Sequence, residues 1–77
     1  MNKHNLRFEN PTNQRYYRVI ISQDLFKQWI VTKTWGGIGK AGGRVVHVPC
    51  LSHQDGLKLI DEIIKNRNRH GYSLCSN

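Results

Sequence analysis

Acidic residues are scarce in this sequence: five Asp and Glu stand against twelve Lys and Arg in 77 residues, for a formal net charge of +7. The isoelectric point near 9.9 makes a polyanion the first partner to consider, against the blander alternative of a basic surface that only confers solubility. Long apolar runs are also missing. No stretch approaches the ~18 apolar residues of a membrane span, and Met1-Asn2-Lys3-His4 lacks the apolar core of a secretory leader, so a cytoplasmic chain without membrane attachment is expected. Cysteine is limited to Cys50 and Cys75. Two do not make a disulfide framework, and both are expected as free thiols in a reducing compartment. Neither an internal repeat nor a low-complexity segment is present.

The short chain excludes more. Residues 1–77 leave no room for a second domain, and a chain of this size has little space for a pocket that buries a substrate. Cys50 with His47 or His53, and Ser52 beside His53, pair a nucleophile with a base on paper. Neighbours in sequence seldom form such dyads, so no enzyme is expected. His47-x-x-Cys50-x-x-His53 offers a thiolate and two imidazoles to zinc, but a structural site wants a fourth ligand. The remaining candidates, Cys75, His70 and His4, lie far off in sequence, so the pattern reads as a buried Cys50 with incidental histidines, and neither metal nor cofactor is expected.

What the chain does have is concentrated between Thr34 and Arg44. Five of the seven glycines fall in this stretch, after Trp35 and around Lys40. Glycines at this density mark a tight reversal with exposed amides, which attract anions. Lys40 and Arg44 add charge, and Trp35 adds a flat face on which a sugar or base can rest. From the residues alone, Trp35 fits the core of a sheet equally well. Gly37-Ile38-Gly39-Lys40-Ala41-Gly42 also satisfies G-x-G-x-x-G, but that fingerprint must open a helix, and here a strand follows.

Around this loop the periodicity is that of strands and one helix. Met1 to Asn5 is polar and expected to be loose. Leu6 and Phe8 alternate with Arg7 and Glu9 before Asn10-Pro11-Thr12-Asn13 turns the chain. Tyr16 to Ser22 and Gln28 to Trp35 read as an antiparallel pair joined through Gln23 to Lys27, with Trp29 assigned to the core. Arg44 to Val48 resumes as a strand that Pro49, lacking an N–H, is expected to end. From Ser52 the period lengthens. Ser52 is a cap with Asp55 three residues on, Leu57, Ile60 and Ile64 form one stripe, and Gly71 stops the helix behind Arg67 and Arg69. Tyr72 to Leu74 are expected to fold back, and Cys75 to Asn77 to form a tail. The fold class is α+β: a small antiparallel β-sheet with one amphipathic α-helix packed across it.

With Tyr16-Tyr17-Arg18 opening the first long strand, Trp29, Trp35-Gly36-x-Ile38-Gly39 with Gly42-Gly43 behind, the capped helix and Gly71-Tyr72, the chain from about Asn5 to Leu74 resembles the WGR domain. That family is best known as the nucleic-acid-reading module of DNA-damage-responsive poly(ADP-ribose) polymerases, and it includes small stand-alone bacterial proteins. The resemblance implies a single WGR-like domain that binds DNA, at strand ends or breaks in the polymerases. It assigns Trp35 to a nucleotide sugar, and the pair Gln14 and Arg15 to the approach of the backbone. It departs at Gly37, where the family carries its eponymous arginine. The guanidinium that would grip a terminal phosphate is missing there, with Lys40 or Arg44 as substitutes from across the loop. The expected nucleic-acid site is therefore Gln14, Arg15, Trp35, Lys40 and Arg44, acting on phosphates without a base-edge code. The alternative is a small protein-interaction module that docks a protein partner on the same Trp35 surface.

Overall fold

The computed structural model describes residues 4–75. Alternating apolar residues build strands β1 (Asn5–Asn10), β2 (Arg15–Gln23), β3 (Trp29–Gly37) and β4 (Arg44–Cys50), followed by helix α1 (His53–Arg69) and a short β5 (Ser73–Cys75). The strands form one antiparallel sheet in the order β4-β3-β2-β1-β5. Strand alternation sends Leu6, Phe8, Tyr17, Val19, Ile21 and Val31 to one face, where they meet Ile60 and Ile63 of α1 as the core. Phe8, Val19, Val31 and Ile60 are fully sealed. Trp29 and Trp35 pack partly buried against this cluster from the same face. None of the described helices is long and apolar enough to cross a membrane.

The helix is set by both of its ends. Ser52 Oγ accepts from the Asp55 amide at 3.1 Å, which satisfies one of the donors a helix start leaves open. At the other end the Gly71 amide bonds to Asn68 O and the Tyr72 amide to Arg67 O, at 3.3 and 3.0 Å. Gly71 has φ +85. This is a Schellman closure, which needs a left-handed residue past the cap. Gly56 is the point of closest approach, because a Cβ there would run into Ile21 Cδ1 on β2. Ser52→Ala is expected to cost about 1 kcal/mol, and thus to lower the melting midpoint by roughly 4–8 °C in a calorimetric scan.

Several boundaries differ from the sequence reading, each for a physical reason. Pro49 does not end β4: it sits opposite Ile30, and pairing continues to Cys50 opposite Trp29. β4 is an edge strand, so the side that lacks an N–H can face water at no loss. Asn5 opens β1 rather than a loose segment, and His4 stacks on His53 with ring centroids 5.1 Å apart. Residues 1–3 lie outside the described residues. Cys75 belongs to β5, opposite Arg7 on β1, and not to a tail, of which residues 76–77 lie outside the described residues.

Candidate functional site

The glycine loop closes one end of the sheet, and the β1–β2 hairpin anchors it. Asn10 is buried yet satisfied at both ends of its amide: Oδ1 accepts from the Thr12 amide at 3.1 Å and Nδ2 donates to His70 O at 3.2 Å. One side chain thus ties the hairpin turn to the end of α1. Gln14 takes φ +57, and its Nε2 donates to Pro11 O at 2.8 Å. Its carbonyl accepts from the Ile38 amide at 2.9 Å. Gln14 therefore acts on the loop through its backbone, with its amide nitrogen spent on its own turn.

The loop itself is less bare than its composition suggests. The Lys40 amide donates to Gly37 O at 3.2 Å, and Gly39, third of the four residues so enclosed, has φ +73. That combination is the pattern of a type II turn. The amides of Ile38 and Lys40 are thus engaged within the protein. Gly43, at φ +127, returns the chain flush against β3: a Cβ there would sit 2.8 Å from Trp35 O and 3.1 Å from Tyr16 Oη.

Trp35 is half-buried and lies on the helix side of the sheet, with Tyr17 and Arg44 as its register partners. Its ring stacks on Tyr17 at 5.7 Å with an interplanar angle of 12°. Tyr72 meets Tyr17 edge-on at 6.4 Å. The Arg67 guanidinium lies over both tyrosine rings, 4.6 Å from the centroid of Tyr17 and 5.1 Å from that of Tyr72. Burial pushes the Tyr17 hydroxyl above its usual range, partly offset by the Arg67 cation, so Tyr17 stays an uncharged phenol at neutral pH.

Of the residues expected at the site, the structure brings Arg15, Trp35, Lys40 and Arg44 to this end. Arg15 pairs with Gly37 two rungs beyond Trp35, and by alternation shares the face of Tyr17. Lys40 holds the most telling position. A Cβ built on Gly37 would meet Lys40 Cδ, Cγ and Cβ at 3.1, 3.5 and 3.6 Å, so the lysine stem occupies the room a side chain at position 37 would take. Arg67 was not among the expected residues. Its position seven after Ile60 and four after Ile63 places it on the buried stripe, which was the available signal.

Other basic residues do not join. Arg7 faces the opposite side of the sheet, bonded to Glu9 at 2.9 Å and lying over Tyr16 at 4.7 Å. Arg18 on that same side bonds Asn5 at 3.2 Å. The histidine and cysteine pattern does not converge either. His47 is turned to the open face beside Thr32 at 3.0 Å, while His53 packs against Trp29 at 4.5 Å between centroids. Among the described residues no group of three or more metal-ligating side chains is assembled. Ser52 is occupied by its capping role.

A family model, the WGR domain, matches residues 2–77. No curated protein and no solved structure gives a match.

Proposed function

The chain belongs to the WGR domain family, a nucleic-acid-binding module, and on that premise we propose that it is a non-catalytic DNA-binding domain that grips the phosphate backbone at the glycine-loop end. The observation that carries this reading is the half-exposed Trp35 held on one side of the sheet with Arg15, Lys40, Arg44 and Arg67 around it. Cations gathered around an aromatic ring suit a sugar–phosphate chain: charge neutralises phosphates, and the ring gives a sugar or base a surface to rest on. The stack on Tyr17, whose ring Arg67 in turn covers, orders the indole before any ligand arrives, which lowers the entropic cost of binding.

Lys40, lying over Gly37, stands in for the arginine the family carries there. An ammonium is a point charge, whereas a guanidinium can hold a phosphate by two parallel bonds worth roughly 1.5–3 kcal/mol. A weak preference for a terminal phosphate over internal phosphates follows, with general backbone binding retained. The test is an amide chemical-shift titration with a nicked duplex carrying a 5′ phosphate. Shifts should gather at residues 14–15, 35–44 and 67–72 and spare residues 24–28. Absence of shifts together with a salt-tolerant complex with a protein would favour the interaction-module reading instead.

A further inference from the structure

We propose that the end of the sheet remote from the glycine loop is a self-association surface, on which two copies of this chain meet tail to tail. The last rung there joins Gln23, Trp29 and Cys50 across β2, β3 and β4. Beyond it the chain carries three large apolar residues almost wholly in water: Leu25 at 97%, Phe26 at 89% and Leu51 at 98% exposure. They extend from neighbouring strands, whose spacing is about 4.8 Å, so they share one end of the molecule. Scattered exposed leucines need no explanation, whereas a group of them at one end marks a contact surface.

The turn that carries Leu25 and Phe26 is firmly built. Asp24 Oδ1 accepts from the amides of Phe26 and Gln28 at 2.8 and 2.9 Å. The Lys27 amide donates to Asp24 O and the Asp24 amide to Gln28 O, both at 3.0 Å, while Gln23 Nε2 reaches Lys27 O at 3.0 Å. Lys27 holds φ +64, a conformation a side chain adopts at a cost. Five hydrogen bonds and one unfavourable dihedral thus hold two apolar side chains outward, which pre-organises them for contact.

Charge selects the occupant. Among the described residues, the ionised side chains near this end, Asp24 and Lys27 on the turn with Asp55 and Lys58 in the first turns of α1, cancel. The positive excess sits at the other end with Arg15, Lys40, Arg44, Arg67 and Arg69. Strands of nine residues span about 30 Å, several times the screening length of roughly 8 Å in physiological salt. Two chains of charge +7 repel when their basic ends approach and least when their neutral apolar ends do. The same balance among the described side chains gives an anionic membrane little to attract at this end. The three side chains offer about 500 Å² per copy, or roughly 1,000 Å² in a pair, the low end of specific interfaces. The dimer is therefore weak, and it leaves both glycine loops free and pointing apart.

Sedimentation equilibrium of the whole chain, from about 1 µM to 1 mM, tests this. The wild type should rise from the monomer mass of 9.0 kDa toward twice that value, and more readily at high salt because screening weakens the repulsion. A Leu25→Ser/Phe26→Ser variant, altered only in water-exposed side chains, should stay at the monomer mass with an unchanged circular dichroism spectrum. Val45→Ser/Val46→Ser on the exposed edge of β4 should associate like the wild type. A wild type that remains monomeric throughout, or a tip variant that associates as the wild type does, would overturn the proposal.

Discussion

Trp35→Ala is expected to weaken binding to nicked duplex DNA about ten- to hundredfold, measured by fluorescence anisotropy at low salt. Removing one stacking aromatic costs roughly 1–3 kcal/mol, and here the loss also leaves Tyr17 without its parallel neighbour at 5.7 Å. Because the indole is half-buried, part of the effect falls on stability. Trp35→Phe separates the two: it keeps an aromatic on Tyr17 and should recover most of the melting temperature while regaining only part of the affinity. If Trp35→Ala binds as tightly as the wild type and remains folded, the ring is a packing residue and the interface lies elsewhere.

Gly43→Ala is expected to be the most damaging single change in the loop. Any side chain there must hold φ +127 and place its Cβ 2.8 Å from a backbone oxygen of β3 that cannot rotate away. Strain of this kind costs of order 1–3 kcal/mol, and the clash with the β3 backbone adds to it. For a domain of this size each kcal/mol lowers the melting midpoint by roughly 4–8 °C. Gly42→Ala is the control, with φ +86 but nothing within 4 Å of the added Cβ. It should cost about 1–2 kcal/mol, the price of a left-handed residue alone. Equal melting temperatures for the two variants would mean that the loop does not lie against β3.

Much of this could be read from residues because it depends on local pattern. Leu6 and Phe8 announce β1 by alternation, Tyr17, Val19 and Ile21 announce β2, and the stripe of Ile60 and Ile64 announces α1. The glycine loop was legible because only a tight return requires so many residues without side chains. Features set by pairing distant in sequence were not. β5 is three residues long and is defined only by its partner β1 at the other end of the chain. The tolerance of Pro49 depended on β4 lying at an edge. Arg67 joined the site because α1 crosses the sheet with its last turn over Tyr17, and a helical pattern read alone does not say where the helix lies. Lys40 covering Gly37 was hidden for a similar reason: the type II turn folds the lysine stem back onto the strand it has just left.

The central claim is that cations gathered beside Trp35 neutralise phosphates, and its most direct test is the salt dependence of binding to a nicked duplex. With Arg15, Lys40 and Arg44 each contacting one phosphate, the slope of log K against log salt should be near −0.9 per contact, or about −3 in all. Arg44→Gln or Arg15→Gln should each make the slope shallower by about 0.9, whereas Arg18→Gln on the opposite face should leave it unchanged. A slope near zero, or equal losses from both faces of the sheet, would contradict the account.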